Sequence, residues 1–225
     1  MIPPTVGLLF TSVTTVMNVQ RLNSLRHWIF DMDGTLTVPS HDFPYMRRQL
    51  GMAEGDLDIL AYVARHNEAE AAQMNQWLWD YEVDLAENAE PATGAADLVQ
   101  HLHEQERKLA ILTRNDKKLA LITLQAIGLL HYFDESVILG RDEAAPKPHP
   151  AGIDHILQHW QANSDDAIMV GDYEYDLSAG RSAGVHTLLV HPKANHWPDL
   201  SDYYFEHCGG VLSSLVQGIQ GIEVK

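Results

Sequence analysis

The stretch His27-Trp28-Ile29-Phe30-Asp31-Met32-Asp33-Gly34-Thr35 governs how the rest of the chain is read. Its first four residues make a short, mostly apolar run that stops abruptly, the pattern of a strand buried on both faces. Two carboxylates then follow two positions apart, with Gly34 directly after them. Asp31 and Asp33 in one tight turn with exposed backbone N–H groups would bring together a nucleophile, a proton donor and an anion nest. The competing reading is a solvated Asp-Gly turn, and the strand immediately before it weighs against that.

Outward from this stretch, similar apolar runs recur at Leu109–Leu112, Ser136–Leu139, Ala167–Val170 and His186–Val190. Helix-like stretches lie between them, at Thr93–Glu106, Asp116–Ile127, Ala151–Gln161 and Tyr175–Ala183, with Gly128 and Gly184 placed as helix C-terminal caps. This alternation predicts an α/β fold, a parallel sheet with helices on both faces. Residues 38–90 break it. They contain no strand pattern and read as successive helices, clearest at Asp56–Ala64 and Glu70–Leu85, with Met74, Trp77, Leu78 and Tyr81 at helical spacing. The expected organisation is therefore an N-terminal extension over 1–24, a core from 25–37 and 91–225, and a small helical cap over 38–90 lying across the sheet's carboxyl edge. Trp77, Trp79 and Tyr81 read as packing residues of that cap.

Three strands end in a polar residue that packing does not require: Asp31, Thr113, and Asp172 after Gly171. Carboxyl ends of parallel strands point the same way, so the three should meet at one crevice. Each alone could be a helix cap; three on one edge are harder to explain that way.

Composition narrows the function class. Fifteen Lys+Arg against 31 Asp+Glu give a formal charge of −16, with no basic cluster, which argues against a nucleic-acid partner. Cys208 is the single cysteine, so no intrachain disulfide can form and a reducing cytoplasm is the expected setting. Met1–Met17 has two early prolines and no Lys or Arg; it suits neither a secretory signal nor a membrane span of about 20 apolar residues, and the expected true start is near Met17. No membrane association is expected, and a monomer is the default.

Asp31-Met32-Asp33-Gly34-Thr35 resembles the first motif of the haloacid dehalogenase-like hydrolases, specifically their phosphoglycolate phosphatase-like members with a helical cap between the first two motifs. The remaining motifs follow in order: Thr113 after the strand Leu109–Leu112, Lys147 within Ala145-Pro146-Lys147-Pro148-His149-Pro150, and Gly171-Asp172-Tyr173-Glu174-Tyr175-Asp176. The resemblance spans about Arg26 to Leu215. It implies an open Rossmann-like core, a Mg²⁺ cofactor and a small phosphorylated metabolite as substrate.

By that resemblance, Asp31 is the nucleophile and forms an aspartyl-phosphate, and Asp33 is the general acid and base. Mg²⁺ is held by Asp31, Asp172 and the backbone carbonyl of Asp33, with Asp176 behind these ligands. Gly34, Thr113 and Lys147 face the substrate phosphate; Arg114, which follows Thr113, either reaches the substrate anion with them or lies on the surface. A hard cation with oxygen ligands suits this set, and positive charge is needed before a carboxylate can approach a phosphate dianion. The second acid, Asp33, argues against dehalogenase chemistry, because a halide leaves without a proton. A phosphomutase shares all four motifs and remains an alternative, as does a phospho-ligand-binding regulatory protein. His101/His103 and His155/His159 read as solvated residues, and Tyr173 and Tyr175 either narrow the pocket or pack.

Overall fold

The computed structural model describes residues 20–217, so the choice between Met1 and Met17 and most of the expected extension lie outside the described residues. Helix already spans residues 20–24, and Leu22 is fully buried in the main core. The sheet body therefore begins upstream of the boundary expected at residue 25.

Six parallel strands form one sheet: β1 (His27–Phe30), β2 (Lys108–Leu112), β3 (Ile138–Leu139), β4 (Ala167–Gly171), β5 (His186–Val190) and β6 (Tyr203–Phe205). Their order is β3-β2-β1-β4-β5-β6. Side chains of a strand alternate between faces, and here both faces are covered. Trp28 and Phe30 of β1, Leu109 and Ile111 of β2, and Ile168 and Val170 of β4 point into one core. That core is closed by α4 (Ala95–Glu104), α5 (Lys117–Ala126) and α8 (Cys208–Gln217). Ile29, Ala110, Leu112 and Met169 point into the other, closed by α6 (Ala151–Trp160) and α7 (Glu174–Ser182). The expected α/β class, a parallel sheet flanked by helices, is what the chain adopts.

One expected strand is shortened and one strand is additional. Ser136 and Val137 were placed on a strand, but Asp134 accepts hydrogen bonds from the Ser136 N–H (2.9 Å) and hydroxyl (2.6 Å), which winds Glu135–Val137 into a 3₁₀ turn. Only Ile138–Leu139 remains extended. β6 was not expected, because three residues are too few to show an alternating pattern.

Between β1 and β2 lie α1 (Phe43–Gln49), α2 (Ile59–Val63) and α3 (Glu68–Glu87), capped by the side chains of Asp42, Asp58 and Asn67. They share a small core of Met46, Leu50, Val63 and Leu78, separate from the two sheet cores. The chain leaves and re-enters the sheet body side by side: Val38 N–H donates to Glu90 (2.9 Å) and Ala92 N–H to Leu36 (2.8 Å). Among the described residues no helix is long and apolar enough to cross a membrane.

The strand order places β1 between β2 and β4, where the connections turn from one side of the sheet to the other. Ligands of open parallel sheets bind outside the carboxyl ends at such a point. Asp31 follows β1 there, and its N–H still donates to Val170 of β4 (2.9 Å).

Gly94 and Gly128 give a paired stability test. Both have φ +74°, but a Cβ at Gly94 would run into the Gly209 backbone, whereas nothing lies within 4 Å of one at Gly128. Gly94→Ala should therefore lose about 1–3 kcal/mol from overpacking beyond the conformational cost the two share. Urea unfolding of both variants checks this, and equal losses would show that α4 and α8 do not meet as closely as described.

Candidate active site

Lys147 organises the sheet edge. Its ammonium donates to Asp31 Oδ1 (2.5 Å) and Asp176 Oδ1 (2.6 Å), and all three residues are buried. Asp176 lies in the first turn of α7, and its other oxygen accepts from the Tyr173 N–H (3.1 Å), which ties off the helix start. Gly171 allows this approach, since a Cβ there would overlap the Asp176 carboxylate.

Asp172 completes an acidic cluster. One oxygen from each of Asp31, Asp172 and Asp176 lies within 4.8 Å of the others. Gly34, with φ +87°, passes so near the Asp172 carboxylate that no side chain would fit. Thr35 donates to Asp31 Oδ2 at 3.4 Å. Thr113 is buried, and its hydroxyl oxygen accepts from the Asn115 N–H (3.0 Å), leaving the hydroxyl proton available for donation. Asp33 is partly exposed, with Nδ1 of His41 at 3.8 Å from its carboxylate.

One buried ammonium cannot compensate three carboxylates. Burial pushes the Asp172 carboxyl up to about 8, with Asp31 and then Asp176 adding to the rise against Lys147. Asp176 is pushed up to about 6, again mainly by burial, with Lys147 opposing. Asp31 is raised as well, by burial first and to a smaller degree by Asp33, against the pull of Lys147. Burial alone would lower Lys147, but Asp176 and Asp31 outweigh it and hold its pKa above the ordinary lysine value. Fully ionised, the cluster would carry excess negative charge; without a cation it is relieved by protons, and a further cation would replace them.

A cavity of about 560 Å³ opens above these groups. Asp31, Asp33, Thr113, Lys147, Asp172 and Asp176 form its floor, and residues of α1–α3 form much of its wall. Of the residues predicted to face phosphate, Thr113, Arg114 and Lys147 line the cavity, whereas Gly34 is packed beside Asp172. Arg114 reaches Asp58 of the helical insert (3.7 Å) and lies over the Tyr175 ring (4.8 Å to its centre). Trp77 and Tyr81 pack with the insert's own core. Among the described residues none of the thirteen histidines joins a candidate metal cluster.

Three further residues of the cavity escaped the sequence reading: His41, Glu82 and Arg141. Glu82 had a legible signal, since it interrupts the buried stripe Leu78, Glu82, Ala86 at helical i, i+4 spacing. Arg141 follows β3 and Gly140 at the sheet edge that carries Asp31 and Thr113, so the same strand-end reasoning could have found it. His41 gave no such signal.

Comparison with known proteins adds sequence relatives and fold neighbours. Residues 52–190 match the family described as haloacid dehalogenase-like hydrolase. A haloacid dehalogenase-like hydrolase domain-containing protein of Arabidopsis thaliana is 30% identical over 189 residues, covering 78% of this chain and 74% of that protein. The pyrophosphatase PpaX of Halalkalibacterium halodurans is 38% identical over 101 residues, or 45% of this chain and 46% of that protein. The crystal structure of a predicted phosphoglycolate phosphatase from Haemophilus somnus shares the fold, with a TM-score of 0.68 at 20% identity, covering 84% of this chain and 97% of that one.

The shifted carboxyls make stability depend on pH when no cation is bound. Unfolded aspartates titrate near the ordinary value of about 4, so between there and the raised folded values the native state holds the extra protons. Asp172 and Asp176 thus stabilise the protein most at low pH, and that contribution is lost as pH rises through about 6 and then about 8. In chelator, the thermal midpoint of the wild type relative to Asp172→Asn should fall between about pH 5 and about pH 8. A flat or rising difference would contradict the charge arrangement described.

Proposed function

The chain belongs to the haloacid dehalogenase-like hydrolases, and from that premise we propose that it is a Mg²⁺-dependent phosphomonoesterase working through an aspartyl-phosphate on Asp31. The observation that carries this reading is Lys147 held between Asp31 and Asp176, with Asp172 beside them and Asp33 on the same cavity floor.

The donor set suits a hard cation: the cluster offers only carboxylate oxygens, and their ionisation exceeds what Lys147 alone can balance. Asp31 and Asp172 would hold Mg²⁺, joined by the Asp33 backbone carbonyl. Both oxygens of Asp176 are already engaged, by Lys147 and the Tyr173 N–H, which favours a place for it behind the ligands. When bound, Mg²⁺ would supply positive charge to the phosphate oxygens.

The protein groups divide the remaining work. Lys147 keeps one oxygen of Asp31 oriented and neutralises part of the charge that would repel a phosphate dianion. Thr113 donates its hydroxyl to a phosphate oxygen. A carboxylate oxygen of Asp31 attacks phosphorus as the bond to the leaving oxygen breaks, and the Asp33 carboxyl gives that oxygen its proton. Asp33, now a carboxylate, takes a proton from a water that attacks the phosphoryl group. This breaks the Asp31–phosphoryl bond, releasing inorganic phosphate and restoring both acids. The helical insert, joined to the sheet body by two adjacent chain segments, would act as a cap that excludes other water during these steps.

The two acids should separate experimentally. Asp31→Asn removes the nucleophile and should abolish turnover. Asp33→Asn should cost ~10²–10⁴-fold on alkyl phosphates, and much less in the first step with p-nitrophenyl phosphate, whose leaving group needs no proton. The second step still needs the base, so the phosphoryl adduct should accumulate on the peptide carrying Asp31, where mass spectrometry after acid quench can find it. Turnover by Asp33→Asn without any adduct would count against covalent catalysis.

Metal removal provides an independent check. Chelator should abolish phosphate release and added Mg²⁺ should restore it, while Asp172→Ala should weaken Mg²⁺ binding in calorimetry more than Asp176→Ala. Full activity in chelator, or the opposite ranking, would overturn this assignment of ligands.

A further inference from the structure

Among the described residues six large apolar side chains are exposed, and four of them, Phe43, Leu57, Tyr173 and Tyr175, line the cavity above Asp31. Exposed apolar surface gathered in a concave site marks a ligand-binding wall. Phe43 opens α1 and Leu57 lies just before α2, while Tyr173 and Tyr175 lie at the start of α7, so the apolar surface faces the cavity from both the insert and the sheet body.

Polar atoms in the same wall lack partners. Glu82 Oε2 and Arg114 Nε are buried and find no hydrogen bond among the described residues. Arg141 approaches Glu82 only to 3.9 Å, and Arg114 meets Asp58 through a different nitrogen at 3.7 Å. Both atoms are closed off from the cavity, so a ligand's polar edge would meet these residues through their remaining side-chain atoms, Arg114 being 34% and Glu82 10% exposed at the side chain.

A two-carbon phospho-acid fits this wall poorly. It would occupy only the end of a cavity of about 560 Å³ nearest Asp31, leaving the apolar part to water. Flat rings, by contrast, pack well against Tyr173, Tyr175 and Phe43 at small ordering cost.

We propose that the outer part of the cavity is a leaving-group subsite for a phosphorylated alcohol that bears an aromatic or heteroaromatic ring with polar groups at its edge. The ring lies between Leu57 and Phe43 on one side and Tyr173 and Tyr175 on the other, with its edge groups on Glu82 and Arg114. This rests on the phosphomonoesterase reading and adds the class of substrate.

The test compares kcat/KM for 2-phenylethyl phosphate, ethyl phosphate and phosphoglycolate on the full chain with Mg²⁺. The first two are both phosphates of primary alcohols, so their ratio reads the subsite rather than the chemistry. Phenylethyl phosphate should exceed ethyl phosphate by about tenfold or more, and phosphoglycolate should be the poorest of the three. Leu57 is 71% exposed, so Leu57→Asp should fold and bring the ratio of the two alkyl phosphates close to one. Tyr175→Ala should lower the same ratio from the opposite wall. Ethyl phosphate or phosphoglycolate turned over as well as the ring-bearing ester, or a ratio untouched by both substitutions, would overturn the subsite and leave the phosphatase reading standing. Failure to hydrolyse all three and p-nitrophenyl phosphate as well would remove that reading, and the subsite with it.

Discussion

The site depends on one buried ammonium shared between two carboxylates. Lys147 touches Asp31 at the end of β1 and Asp176 at the start of α7, so it ties the middle of the sheet to the helix that follows β4. Replacing it with a neutral side chain would leave two buried carboxylates without a counter-charge, a far greater cost than losing an exposed ion pair. It also sets the electrostatic character of the cavity floor. A single positive charge among Asp31, Asp172 and Asp176 leaves a deficit, and deficits of this kind are how proteins make sites for hard cations.

Much of the sheet edge could be read in advance because its signals are local. Asp31, Thr113 and Asp172 each end an apolar strand, and strand ends of a parallel sheet must converge whatever the intervening chain does. Lys147 is different. It sits in the Pro-flanked segment 145–150, outside any strand or helix, and only its place in a motif singled it out. Nothing periodic surrounds a loop lysine, so its burial arises from tertiary structure alone. Glu82 and Arg141 belong to an intermediate case: each carries a local signal, an acid within an apolar helical stripe and a cation just past a strand end.

The boundaries that shifted did so for local reasons as well. A side-chain oxygen of Asp134 captured the N–H of Ser136 and converted half of an expected strand into a turn. Propensity favoured extension there, but an Asx-type hydrogen bond offers the backbone a competing arrangement. At the other end of the described chain, Leu22 is drawn into the core by contacts that no windowed pattern could register.

The strand order carries a consequence for how the molecule is made. β1 is the first strand of the described chain, yet it lies in the interior of the sheet, and its second neighbour, β4, spans Ala167–Gly171. A growing polypeptide can pair β1 with β2 but must hold its other edge open until β4, which begins 55 positions after the end of β2 (167 − 112), has emerged. During that interval Asp31 has neither β4 beside it nor the Lys147 that lies 116 positions downstream. An unpaired apolar strand edge is an aggregation hazard, and the charged turn Asp31–Asp33 at its tip is the feature most able to discourage self-association.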